Sequence, residues 1–288
     1  MNPDPDPASR TVRLGKYHGL GNDFLVAVAT AVEAPALCSP VLAVSLCDRR
    51  RGVGADGYIV AALDPRPGID AVMTLFNADG SRAEMSGNGI RCLAQAVARH
   101  RGTRHVDLVV GTDAGLRPME VRPDPADAAT VNVRVGMGPV VDGPSWQPSD
   151  AARAAVEALQ PAGGPGRVAT ADIGNPHLVI EVDDPAAVDV ARVGPLLEAD
   201  FPAGVNVQFI AARPGRLQLS VWERGAGVTE ACGTGASAAA TVAHRWGIVG
   251  PVTTVEMPGG TVEVRVGPDA TELVGPATFI ARIEVDLA

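Results

Sequence analysis

A six-residue pattern occurs twice in this chain, as Glu84-Met85-Ser86-Gly87-Asn88-Gly89 and as Glu230-Ala231-Cys232-Gly233-Thr234-Gly235. Each copy runs into a stretch of small and apolar residues with helical spacing. Ser86 and Cys232 stand 146 residues apart, about half of the 288-residue chain. Upstream, Phe76-Asn77 falls opposite Trp222-Glu223, and downstream Ala94 falls opposite Ala240. A second pair, Gly21-Asn22-Asp23-Phe24-Leu25-Val26 and Gly174-Asn175-Pro176-His177-Leu178-Val179, repeats at a spacing of 153. Two matched pairs in the same order predict two equivalent halves packed about a pseudo-twofold axis. The axis brings the two helix starts face to face, with a hydroxyl on one side of a cleft and a thiol on the other. A reaction that needs an acid on one face of a carbon and a base on the other would use that arrangement.

The periodicity around these motifs reads as an α+β chain, with strands wrapped around two long central helices. Strands are expected at Leu14–Tyr17, Phe24–Ala29, Tyr58–Leu63 and Ala71–Asn77, with a helix at 40–48 capped by Ser39. A central helix follows over Gly89–Arg99, then strands at Val106–Val110 and Gly115–Val121. The Pro- and Asp-rich stretch 122–128 reads as a boundary. In the second half, strands are expected at Val131–Val135, His177–Val182, Val205–Ala211 and Leu217–Glu223. Helices are expected at Ala151–Leu159, Val193–Glu198 and Gly235–Trp246, with two or three terminal strands to close. Residues 1–10 read as a disordered leader. The domains are then 11–128 with a returning strand 276–288, and 129–275.

Composition removes several function classes. The net charge is −9, there is no basic run, and there are only five Phe, two Tyr and three Trp. Nucleic-acid binding needs clustered cations and stacking rings, so it is not expected. No apolar run is long enough to span a bilayer, and the leader lacks the apolar core of a signal peptide. The four cysteines, Cys38, Cys47, Cys92 and Cys232, show no CxxC pair, and no His/Cys cluster has metal spacing. A reduced cytoplasmic protein with a small-molecule partner and no metal is expected. The only lysine is Lys16, beside an N-terminal turn, a poor candidate for a pyridoxal phosphate Schiff base. Gly52-Val53-Gly54-Ala55-Asp56-Gly57 matches a dinucleotide fingerprint by letter, but it precedes a strand-like run instead of opening a helix. A turn or substrate-edge loop is the better reading.

A helix N-terminus presents free N–H groups and partial positive charge. Two of them aimed at one cleft can hold a carboxylate, and Gly87, Gly89, Gly233 and Gly235 let the backbone come close. A thiol at such a place is expected to have a lowered pKa, which suits Cys232 to general-base work. The plainer reading, that Ser86 and Cys232 only cap their helices, would be preferred for one copy alone; the duplication favours a site.

Eight motifs in order resemble the diaminopimelate epimerase family: His18-Gly-Leu-Gly-Asn22-Asp-Phe, Gly52-Val-Gly-Ala-Asp56-Gly, Phe76-Asn77-Ala-Asp-Gly-Ser, Ser86-Gly-Asn-Gly, Gly174-Asn175-Pro-His177, Val205-Asn206-Val-Gln-Phe, Trp222-Glu223-Arg224-Gly and Ala231-Cys232-Gly-Thr-Gly. The resemblance runs from about residue 14 to 280. It implies a two-domain fold, and cofactor-free epimerisation of LL-diaminopimelate to the meso form in lysine and cell-wall precursor synthesis. It implies that one thiolate removes the α-proton while the opposite thiol protonates the other face. N–H groups at Gly87-Asn88 and Gly233-Thr234 would hold the reacting carboxylate. Asn22, Asn77, Asn175, Asn206 and Glu223-Arg224 would clamp the rest of the substrate, and His177 and Glu223 would tune the bases. A cytoplasmic homodimer is also implied. Without the resemblance, Asn22 and Asn175 read equally well as turn residues, and His177 as a satisfied core histidine.

The family has cysteine where this chain has Ser86. A thiol titrates near about 8.5 and is easily tuned. A hydroxyl is a far weaker acid and needs an adjacent base. Cys92 cannot stand in, because it lies about 9 Å along the same helix on another face. Ser86 is either an engineered replacement or a natural hydroxyl in the second acid–base place. Either way an asymmetric enzyme is expected, with Cys232 removing a proton from one epimer and Ser86 better at giving one than taking one. Two alternatives remain open: a racemase or isomerase of another amino acid, and a low-activity or binding-only variant.

Overall fold

The computed structural model describes residues 10–64, 66–161 and 166–287. The expected leader lies outside them except for Arg10, which already belongs to the first strand. The first half contains β1 (Arg10–Gly19), β2 (Asn22–Thr30), α1 (Pro40–Cys47), β3 (Gly57–Leu63), β4 (Ala71–Asn77), β5 (Arg82–Ala83), α2 (Gly87–His100), β6 (Val106–Thr112) and β7 (Gly115–Pro123). The second contains β8 (Thr130–Gly138), β9 (Val141–Asp142), α3 (Asp150–Ala158), β10 (Val168–Asp172), β11 (Pro176–Glu181), α4 (Val190–Glu198), β12 (Asn206–Arg213), β13 (Arg216–Glu223), β14 (Gly227–Thr229), α5 (Gly233–Arg245), β15 (Val252–Met257), β16 (Gly260–Val266) and β17 (Thr271–Leu287). The fold is α+β, and the strands form one continuous hydrogen-bonded sheet among the described residues.

The long last strand joins the halves. Its residues 271–274 pair with β16 and 271–278 with β8, while 278–287 pair antiparallel with β1. β8 in turn pairs with β7, so the 122–128 stretch is a turn within one ladder. Among the described residues, no helix is long and apolar enough to cross a membrane.

The two central helices are built for enclosure. Residues 87–98 of α2 and 233–243 of α5 are all buried. A helix packed on every side draws mainly on apolar or small residues. In α5 this is met by Ala236, Ala238, Ala239, Ala240 and Ala243, each fully buried. In α2 the bulk comes from Ile90, Leu93 and Val97.

Both helices start two residues before the expected Gly89 and Gly235, because the caps are Ser86 and Cys232. Likewise α4 begins at Val190 instead of Val193, where the Asp189 side chain accepts from Arg192 N. Strands β5, β9, β10 and β14 had no expected counterpart. They lack an apolar run, and pairing decides them: β10 exists through its ladder with β11, Val168↔Ile180 to Asp172↔Pro176. The Gly52–Gly57 run turns at Gly54 (φ +82°) and leads straight into β3, so it has no place for a dinucleotide.

Candidate active site

The starts of α2 and α5 meet back to back. A Cβ built on Gly87 would lie 2.7 Å from the Gly233 Cα, so only glycine at both places permits this approach. A cavity of about 970 Å³ opens at the meeting point. Ser86 and Cys232 both line it, together with Gly87, Asn88, Gly233 and Thr234. The two capping side chains therefore face one cavity. Each also caps in the ordinary way: Gly89 N donates to Ser86 Oγ at 3.0 Å, and Gly235 N donates to Cys232 Sγ at 3.3 Å. An N–H aimed at sulfur or oxygen favours the deprotonated form, so capping and proton transfer are compatible roles.

The surroundings of the two caps differ. Glu223, at the end of β13, is half-buried beside Cys232, and desolvation first of all pushes its carboxyl up; hydrogen bonds from Thr229 and Cys232 oppose this. The Cys232 thiol is pushed well above its ordinary value, chiefly by burial and then by the charge of Glu223. This reverses the lowered pKa expected for a cysteine at a helix start. Hydrogen bonds with the Thr234 hydroxyl and the Gly235 N–H do act in the expected direction, but desolvation at a site 3% exposed outweighs them. The Ser86 hydroxyl has only the Gly89 N–H as a hydrogen-bond partner among the described residues.

Asparagines position the rim. Asn88 Nδ2 donates to Ala231 O at 2.8 Å and to Asn22 Oδ1 at 3.3 Å. Asn22 in turn donates to Asp56 at 2.9 Å. Asn175 Nδ2 donates to Thr234 Oγ1 at 3.4 Å, and that hydroxyl lies 3.5 Å from Cys232 Sγ. Asn77 Nδ2 donates to Ser81 Oγ at 3.0 Å, and Asn206 accepts from Arg224 N at 3.1 Å. Asn22, Asn77, Asn175, Asn206, Glu223 and Arg224 all line the cavity.

His177 does not. It is fully buried behind Asn175, with Nε2 3.0 Å from Asn175 Oδ1. Burial holds its pKa down to about 3, so the ring is neutral. A neutral ring with Nε2 protonated donates to Asn175 and fixes that amide to donate onward to Thr234. Any effect of His177 on Cys232 passes through these two residues.

The ion pairs in and around the cavity had no sequence signal. Arg224 Nη2 reaches across to Glu84 at 3.2 Å, an ion pair between the halves. Lys16 is committed to Asp23 at 2.9 Å and donates to Gly54 O, so it is not free for a Schiff base. Arg49 bridges Asp23 and Asp56, each at 2.7 Å, and braces the Asn22 turn. Asp56 stands in the Gly52–Gly57 motif; its carboxylate accepts from Asp23 N and its own N–H donates to the Asp23 carboxylate, a reciprocal pair that could not be read from letters.

Solved structures share this fold. A predicted epimerase from Pseudomonas aeruginosa superposes with TM-score 0.73 at 15% identity, covering 96% of this chain and all of that one. A hydroxyproline epimerase from Agrobacterium vitis, with trans-4-hydroxy-L-proline bound, gives 0.69 at 18% identity over 96% and 93%. Sequence relatives are much nearer. The diaminopimelate epimerase of Synechococcus elongatus is 39% identical over 286 residues, 96% of this chain and 99% of the relative. That of Synechococcus sp. strain JA-3-3Ab is 41% identical over 274 residues, 91% and 94% of the two. The fold and these relatives define the class: the protein is an amino-acid epimerase, an isomerase. The model of one family, diaminopimelate epimerase, matches residues 14–142 and 169–280, and the chain belongs to that family.

Proposed function

We propose that the protein interconverts LL- and meso-diaminopimelate by two-base proton transfer without a cofactor, as a step toward lysine and peptidoglycan precursors. The observation that carries the reading is the placement of Ser86 and Cys232 on abutting helix starts around one cavity. The α-carboxylate sits on the N–H groups of Gly87-Asn88 and Gly233-Thr234. Those groups stabilise the negative charge that spreads into the carboxylate as the α-proton leaves. The α-carbon then lies between the two caps.

Cys232 rests as a thiol and is thus ready as the proton donor. To act as base it passes its proton to Glu223, whose raised pKa suits it to accept one. The resulting thiolate is held by Gly235 N–H and by the Thr234 hydroxyl, oriented from behind by Asn175 and His177. Ser86 supplies or relays the proton on the other face. Arg224, Asn77 and Asn206 hold the distal end, with Asn22 and Asn175 at the rim; a distal carboxylate draws Arg224 from Glu84. The lobes are 11–128 with 276–288, and 129–275. The protein acts in the cytoplasm as a homodimer, as the family resemblance implies, and its four cysteines are free thiols, which suits a reducing compartment.

The test is solvent-deuterium incorporation from each stereoisomer, followed on this protein and on Ser86→Cys. Exchange faster from the Cys232-facing epimer, becoming equal in Ser86→Cys, is the expected result. Equal exchange from both epimers in the unmodified protein overturns the asymmetric mechanism, and no exchange from either leaves only a binding protein.

A further inference from the structure

Arg91 is the largest side chain that the fold buries completely, at 0% exposure. Among the described residues its guanidinium meets no carboxylate. It donates to Pro276 O at 3.1 Å, to Gly87 O at 2.9 Å and to Asn88 Oδ1 at 2.9 Å, all neutral acceptors. Even with burial holding its pKa down to about 10, it is a cation near neutral pH. A buried charge without an opposite charge is strongly unfavourable, and fully buried arginine is rare unless paired.

The other half shows that the charge is not needed for the local bond. Ser237 lies 146 residues after Arg91, the same offset that relates Ser86 to Cys232. Its hydroxyl donates to Gly233 O at 2.9 Å, the counterpart of the Arg91 bond to Gly87 O. One half satisfies the carbonyl with a neutral hydroxyl, and the other does so with a buried cation. The neighbouring strands leave room for that cation. A Cβ on Gly19 would lie 3.1 Å from Nη2, and one on Gly275 would lie 3.2 Å from Nε.

The geometry points to Arg91 as a positioning residue for the anionic group of the substrate: a cation held directly behind Gly87 and Asn88, compensated only when a carboxylate occupies the cleft between α2 and α5. It acts in two ways. Its charge adds to the partial positive charge of the α2 start. Its bond to Asn88 Oδ1 fixes that amide, so that Nδ2 reaches Ala231 O in the other half and Asn22 in its own. An anion in the cleft relieves the unpaired charge, so binding stabilises the folded chain by more than helix ends alone would. The identity of the anion rests on the proposed function; the role of Arg91 does not.

The experiment compares the intact protein with R91Q, which keeps a donor without the charge, and R91K, which keeps the charge without the fork. Melting temperature is followed against added sulfate, and separately against meso-diaminopimelate, with KM and kcat taken from solvent-deuterium exchange. In R91Q the sulfate-dependent rise in melting temperature is expected to vanish, and KM to rise about ten- to hundredfold with a smaller change in kcat. R91K is expected to keep the sulfate response and a KM within about fivefold of the unmodified value. A wild-type sulfate response and KM in R91Q would overturn the proposal. So would equal losses in R91K and R91Q, which would make Arg91 a hydrogen-bonded brace only. Should R91Q fail to fold, the R91K result decides alone. A protein that responds to sulfate through Arg91 but ignores diaminopimelate sinks the substrate and leaves Arg91 standing.

Discussion

Asn77 and Glu223 occupy matched places in the two halves, but one is an amide bound to Ser81 and the other a half-buried carboxylate beside Cys232. The same contrast recurs nearby. Phe24 stands opposite His177, and Ser86 opposite Cys232. Asn88 donates to Asn22 in the first half, whereas in the second Asn175 donates to Thr234, the reverse direction between matched pairs. The backbone frame is duplicated: both helices start at a capped Gly-x-Gly turn, and both caps accept from the third residue on. The acid–base equipment is not. The Cys232 half carries a proton acceptor and a polar chain behind the reacting atom, and the Ser86 half carries the unpaired cation. One half is specialised for moving the proton and the other for holding the charge that its loss creates.

Four changes would test that division, in decreasing order of effect. Cys232→Ala removes the thiol of the two facing caps, and α-hydrogen exchange from its facing epimer should fall by about 10³-fold or more. A loss of tenfold or less would move the chemistry elsewhere. Ser86→Cys should raise turnover by about 10²-fold and equalise exchange from the two stereoisomers. In Glu223→Gln, exchange from the Cys232-facing epimer should drop about ten- to hundredfold. Because the Glu223 charge raises the thiol, its removal should also shift the remaining pH profile to lower pH. A rise in the apparent pKa would contradict the pairing. Glu84→Gln breaks the ion pair across the cleft, but its partners are 54% and 33% exposed, so stability should change by only about 0–1 kcal/mol by denaturant midpoint.

The histidine half of the contrast has a stability signature. In the folded chain His177 is held at about 3, against 6.5 when free of the fold. Below pH 6.5 the unfolded chain therefore binds a proton that the folded chain refuses. Stability is complete above 6.5 and is lost as pH falls toward 3. His177→Phe, which copies Phe24, should flatten that part of the curve of melting temperature against pH.

Much of this could be read from letters. The duplicated motif pointed to both central helices, their starts were placed within two residues, and periodicity located most of the strands. Side chains named at 22, 77, 88, 175, 206, 223, 224, 232 and 234 do share one cavity with Ser86. These features are local: a capping residue, a glycine turn or an apolar period acts over a few neighbours, so sequence carries them. Strands without an apolar run, such as β10, were invisible because a partner strand makes them.

Sequence therefore set the repeat, the caps, the small-residue helices and the family. Folding set the chemistry around them. Only packing put Glu223 against Cys232 and raised the thiol instead of lowering it, took His177 out of the cavity, joined Arg224 to Glu84 and enclosed Arg91 without an anion. Desolvation and contact between residues more than a hundred positions apart depend on what surrounds a group in three dimensions, and no short stretch of chain contains that.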